Sequence, residues 1–159
     1  MKKHLLVLFS VFVLLFSSCT KKICCTLQPI KDFIIAEKDG AQWSVNPLNS
    51  NLLGDTATIA GSQPNEAITI KIALGGTGYY PLKSTEAYYI IKKDDVIIKK
   101  YTISPTYYNA VNVISYNQKD KILQGLFNIK FIKTFDITPG APQDSISFLN
   151  GKFKVGLHN

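Results

Sequence analysis

Ile122-Leu123-Gln124-Gly125-Leu126-Phe127-Asn128-Ile129-Lys130-Phe131-Ile132 decides the fold. Leu123, Phe127, Ile129 and Phe131 fall on one alternate set of positions with Gly125 among them, while Gln124, Asn128 and Lys130 share the other. Side chains of extended chain point alternately to opposite faces, so this rhythm predicts a strand with one apolar and one wet face.

The same rhythm recurs outward from this stretch. Upstream, Val111 to Tyr116 precedes it across the turn Asn117 to Lys121. Downstream, Ser145 to Leu149 and Lys152 to Leu157 flank Asn150-Gly151, which predicts a hairpin with Phe153, Val155 and Leu157 inward and Lys152 and Lys154 outward. Near the start, Phe33 to Lys38 and Ala41 to Val45 flank Asp39-Gly40, a pair suited to the positive dihedrals of a tight turn. Thr56 to Ala60 and Ala67 to Leu74 flank Gln63-Pro64-Asn65. Gly75 to Gly78 leads into Tyr79-Tyr80-Pro81-Leu82, and Glu86 to Lys92 and Val96 to Ile103 flank Lys93-Asp94-Asp95. The segments through Pro47, Asn49 and Gly54 and from Thr138 to Asp144 read as loops. From Phe33 onward no stretch of ten residues carries apolar spacings of three and four, so helices are not expected. The prediction for residues 32–159 is an all-β domain: an antiparallel meander of about ten strands forming a β-sandwich or a flattened barrel, since either hides one face.

Ahead of this domain stands a different kind of sequence. Lys2, Lys3 and His4 form a cationic head, and Leu5 to Phe16 form an apolar run broken only by Ser10. A helix of that length rises ~18 Å, short of the ~30 Å hydrocarbon core, so residues 1–18 read as a signal peptide and not as a membrane span. The run ends in Leu15-Phe16-Ser17-Ser18-Cys19, and small residues just before a cysteine resemble the lipobox of bacterial lipoproteins. Cys19 is therefore the expected lipidation site, with residues 19–31 as lipidated cysteine and tether. Thr20 follows it where an aspartate would favour inner-membrane retention, which points to the outer membrane, with the periplasmic or surface face left open.

Composition narrows the chemistry. All 18 cationic side chains are lysine and the formal net charge is +7. Without arginine the bidentate fork that reads phosphate and guanine is missing, and alternating lysines suit a soluble face beside an anionic membrane, so no nucleic-acid partner is expected. The three cysteines are confined to Cys19, Cys24 and Cys25, and beyond His4 the only histidine is His158. A disulfide framework, a thiolate or histidine metal site and a histidine-based triad are all hard to build from this set. No glycine-rich phosphate loop precedes a helix, and the acids share no spacing, so neither catalysis nor a cofactor is expected.

Asp39-Gly40 with Gln42-Trp43, Ala60-Gly61, Gly78-Tyr79-Tyr80-Pro81-Leu82, Gly125-Leu126-Phe127 and Asn150-Gly151-Lys152-Phe153 together resemble small Gram-negative envelope lipoproteins built on a domain of unknown function. The resemblance implies fold and location and brings no activity or catalytic residues.

Three tyrosine pairs, Tyr79-Tyr80, Tyr88-Tyr89 and Tyr107-Tyr108, should each place one ring outside. Tyr80, Tyr88 and Tyr108, with Trp43, are the candidate binding surface for a glycan or protein partner, although strand construction and a core anchor explain the same residues. The function expected is a non-enzymatic binding or scaffolding domain held on the lipid membrane through Cys19. The alternative is a calycin-like barrel carrying a small lipophilic ligand in an open apolar cavity.

Overall fold

Period-two patterning produces eleven strands: β1 (Phe33–Lys38), β2 (Ala41–Pro47), β3 (Asn51–Leu53), β4 (Thr56–Gln63), β5 (Glu66–Ala73), β6 (Gly78–Pro81), β7 (Ala87–Lys93), β8 (Val96–Ile103), β9 (Ala110–Asn117), β10 (Ile122–Asp136) and β11 (Ser145–Gly156). The computed structural model describes residues 31–158, and among these no helix occurs. The expected signal peptide, Cys19 and all of the tether but Lys31 lie outside the described residues.

Eight strands close a barrel. β11, β1, β2, β4, β5, β7, β8 and β10 pair in that order, and β10 pairs back to β11, with every strand-to-strand pairing antiparallel. These eight follow chain order around the wall, as a meander does. The other three lie outside it: β3 on β4, β9 on β10, and β6 on β9. β8 and β9 share one edge of β10, β9 taking Ile122 to Asn128 and β8 taking Phe131 to Asp136. Of the two expected forms the barrel is the one that occurs, because first and last strands pair directly, Ile34 opposite Phe153, and the eight-stranded wall has no open edge.

Turn chemistry follows the sequence at two hairpins and departs from it at a third. Asp39 and Gly40 take φ of 50° and 83°, and Asp94 and Asp95 take 50° and 63°, the left-handed pairs that a tight two-residue turn needs. Asn150-Gly151 makes no hairpin. Only Asn150 is left-handed, at φ 52°, and Ser145–Gly156 is one continuous strand. Between the pairs Phe127–Gly151 and Ile129–Phe148, β10 supplies Asn128 while β11 supplies Leu149 and Asn150, which is a bulge. The Asn150 amide donates to Asn128 Oδ1 at 2.9 Å. The extra residue moves the inward set from Ile146 and Phe148 to Gly151, Phe153 and Val155.

Gly151 is required by close approach, since a Cβ there would sit 2.6 Å from three atoms of the Phe127 ring. Gly151→Ala is expected to cost about 1–3 kcal/mol as the ring is driven from its place. Urea unfolding of the purified protein followed by Trp43 emission measures this. An unchanged midpoint would mean that the ring moves aside freely.

Aromatic rings are the bulkiest members of an interior otherwise built from isoleucine, valine, leucine and alanine. Phe127, Phe131, Phe148, Phe153, Tyr89 and Tyr101 are among the most fully enclosed side chains. Phe148 lies 4.8 Å from Trp43, 5.2 Å from Tyr89 and 5.7 Å from Phe131 between ring centroids, and Phe127 lies 6.5 Å from Phe153. An eight-stranded barrel is just wide enough for side chains to fill, and rings do so here. The tight hairpins of β1–β2, β4–β5 and β7–β8 and the loop 137–144 share one end, and β1 begins at the other.

Candidate functional site

Two features stand out: an ionic cluster in the hairpin mouth and a tyrosine-lined groove on the outer wall.

The mouth cluster follows from strand parity. Lys38 continues the inward set Ile34 and Ala36, and Glu66 begins the inward set Ile68, Ile70 and Ile72. The backbone ladder between β2 and β4 is short, limited to Asn46–Ser62 and Pro47–Gly61, and side chains bridge what lies beyond it. Trp43 Nε1 donates to Glu66 Oε1 at 2.7 Å and Gln63 Nε2 donates to the same oxygen at 2.8 Å. Lys38 Nζ donates to Glu66 Oε2 at 2.5 Å and to the Tyr89 hydroxyl at 2.5 Å, and the Tyr89 hydroxyl donates to Glu66 Oε2. The same ammonium sits 4.9 Å above the Tyr89 ring. Across the mouth, Lys133 Nζ donates to Asp136 Oδ2 at 3.0 Å and lies 3.5 Å from Asp144 Oδ2, while the Tyr101 hydroxyl donates to that oxygen at 3.4 Å.

The charges settle into fixed states. Burial alone would raise the Glu66 carboxyl, but hydrogen bonds from Lys38, Tyr89 and Trp43, helped by the Lys38 charge, hold it below its ordinary value. Asp136 is held low by the Thr138 backbone amide and by Lys133. Desolvation opposes the charge on Lys133, and its hydrogen bond to Asp136 and the nearby Asp144 outweigh that, keeping it protonated. Burial, then Glu66, pushes the Tyr89 phenol well above its ordinary range, and burial, then Asp144, pushes Tyr101 up to about 12. A general acid needs a raised carboxyl and a phenolate nucleophile a lowered phenol, and these shifts run the other way. Tyr89 and Tyr101 are expected to ionise only well above the ordinary phenol range, in a step that coincides with alkaline unfolding. The difference in phenolate absorbance between the parent and Tyr89→Phe/Tyr101→Phe against pH checks this, since ionisation of the two hydroxyls within the folded range at ordinary phenol pH would contradict their enclosure.

Among the described residues no three His, Cys, Asp or Glu side chains gather where a metal ion could be held. His158 pairs through its backbone with Ser50 and Leu52.

The tyrosines separate into rings used in construction and rings on display. Trp43 lies inside the barrel, 7% exposed. Tyr80 packs partly on the core, its hydroxyl accepting from Gly75 N at 3.0 Å and donating to Gly76 O at 2.7 Å. Tyr88 lies partly exposed on β7 under the Lys100 ammonium. Tyr108 is 70% exposed, and it stands with Tyr79, Tyr107, Leu126, Asn112 and Asn128 around a groove of about 290 Å³. Of the residues singled out from sequence, the groove therefore holds Tyr108 and not Tyr80, Tyr88 or Trp43, while Tyr79 and Tyr107 join it.

Asn109 fixes the loop that carries two of these rings. It is 4% exposed, its Nδ2 donates to Ser104 O and Tyr107 O, and its Oδ1 accepts from Lys130 N at 2.7 Å. These bonds hold the backbone from which the Tyr107 and Tyr108 rings project. Asn109 and the mouth cluster were not singled out from sequence, and of the pair Tyr79-Tyr80 the outward ring is Tyr79 and not the chosen Tyr80. The signal for Lys38 and Glu66 was present, because each occupies an inward position of its strand.

Comparison of the chain with protein families, with curated proteins and with solved structures gives no match. The fold and the two features above therefore rest on this chain alone.

Proposed function

We propose that this protein is a lipid-anchored envelope protein, of the lipoprotein kind that its motifs resemble, whose barrel binds a partner without catalysis through the outer-wall tyrosine groove. The observation that carries the reading is the gathering around Asn112 and Asn128 of Tyr79, on β6, with Tyr107 and Tyr108, on a loop locked by Asn109. Exposed aromatic rings with polar groups between them are the usual currency of recognition surfaces. The fixed charge states of the mouth support a binding role over a catalytic one.

The carrier alternative draws support from the eight-stranded closure. Against it, rings of Phe127, Phe131, Phe148 and Tyr89, each at most 1% exposed, fill interior space that a cargo would need, and Phe131, Phe148 and Tyr89 pack on one another.

The anchor is tested by palmitate labelling of cells expressing the chain with and without Cys19→Ala. Loss of label in the variant supports it, and equal labelling overturns it. The binding surface is tested by crosslinked pull-down from intact cells. A partner captured by the unaltered protein and lost in Tyr79→Ala/Tyr108→Ala supports the groove, and capture indifferent to both substitutions removes it.

A further inference from the structure

Resting on the groove reading above, we propose that the ligand is a saccharide chain lying across two adjoining grooves on the outer wall. The first groove holds the three tyrosines. The second, about 370 Å³, is lined by Ile35, Glu37, Gln42, Asn150 and Lys152 among others. A single interstrand step separates them: Leu126 of the first is cross-strand partner to Lys152 of the second, and Asn150 N donates to the Asn128 side chain.

Strand pairing arranges these groups in a row. Tyr79 on β6 lies opposite Asn112 on β9, Asn112 opposite Leu126 on β10, Leu126 opposite Lys152 on β11, and Lys152 opposite Ile35 on β1. Neighbouring strands are ~4.8 Å apart, so the row runs about 19 Å along the wall. Aromatic faces at one end, the Asn112 amide and Lys152 ammonium alternating with Leu126 and Ile35 along the row, and the Glu37 carboxylate and Gln42 amide in the second groove match a chain of sugars. The apolar C–H faces of a pyranose stack on tyrosine, and its ring of hydroxyls both donates and accepts, which asparagine, glutamine, lysine and glutamate can answer.

A protein partner fits this surface less well. A stable protein interface buries ~800 Å² on each side around an apolar centre, whereas the apolar groups here form a narrow strip broken by amides. Strand pairing sets Lys152 in the row, where its ammonium is a compact hydrogen-bond donor to hydroxyl or uronate oxygens.

The test uses the detergent-solubilised full chain on a printed array of plant, bacterial and animal glycans, followed by calorimetric titration with whichever oligosaccharide series is retained. Retention is expected, with longer oligomers binding more tightly than disaccharides. Tyr79→Ala or Tyr108→Ala should weaken binding roughly tenfold, the ordinary scale for truncating a central aromatic. Lys152→Ala and Gln42→Ala should weaken the long oligomers and leave the disaccharide unchanged. All four residues are exposed or line open grooves, so these variants should keep the parent's unfolding midpoint. An array with no retained glycan overturns the saccharide proposal. If intact-cell crosslinking then still captures a protein through Tyr79 and Tyr108, the groove reading survives alone. Glycan binding that ignores both tyrosines overturns the proposed placement together with the groove reading.

Discussion

Phe148→Ala is expected to remove about 3–5 kcal/mol of stability, the range found when a fully enclosed phenylalanine is cut to a methyl group. Phe148 is 0% exposed, and its ring contacts Trp43, Tyr89 and Phe131, which stand on β2, β7 and β10. The truncation therefore opens a void where walls of the barrel meet. Domains of this size have only ~5–15 kcal/mol in hand, so the loss is a large share of the total. Urea unfolding read by Trp43, the only tryptophan, should show a lower midpoint with unchanged slope. Phe148→Leu should cost less, since much of the volume is kept. The result also bears on function. A barrel that carried a ligand along its axis would tolerate the truncation and gain room for cargo, whereas a barrel filled by its own rings is damaged by it.

The strands were legible because one-face burial imposes a period of two, and that period survives in Ile34-Ala36, Trp43-Val45, Ile68-Ile70-Ile72 and the long run of β10. What periodicity leaves unsaid is which strand lies beside which. The pairing of Ile34 with Phe153 joins the two ends of the domain, and nothing local to either residue announces it. Sandwich and barrel put the same residues inward, so the closure became visible only in the register. Asn150-Gly151 was misread for a related reason. The pair suits a tight turn, but Gly151 is needed under the Phe127 ring, and a tertiary contact overrides the local preference.

The tyrosine groove was half legible. Alternation says that one tyrosine of each pair faces out and leaves open which one. Tyr80 faces inward enough to bond the Gly75–Gly76 turn, which turns Tyr79 outward at 71% exposure. Tyr107 and Tyr108 escape alternation altogether because they stand on a loop held by Asn109, and both are exposed. The mouth cluster was missed because lysine and glutamate in a strand suggest solvent. Their inward parity, with Trp43 and Tyr89 as partners, is the stronger fact.

Glu66→Ala is the second large effect. Removing this carboxylate leaves Lys38 Nζ, Trp43 Nε1, Gln63 Nε2 and the Tyr89 hydroxyl without their shared acceptor. Truncating one partner of a fully buried ion pair costs ~3–5 kcal/mol. The Lys38 and Glu66 side chains keep 25% and 17% exposure, so about 2–3 kcal/mol is expected here. The same site sets an acid limit. The Glu66 carboxyl is lower in the folded chain than its ordinary 4.5, so the folded state binds the proton less readily than the unfolded state. Its stabilisation is complete above pH 4.5 and drains away as pH falls through the lower folded value. Glu66→Gln keeps the shape and some of the hydrogen bonds but carries no titrating group. Urea midpoints measured from neutral pH into this acid range should fall more steeply for the parent than for Glu66→Gln, so that the two curves converge in acid. Parallel curves would mean that the carboxylate is already screened by water and that the seam between β2 and β4 is held by something else.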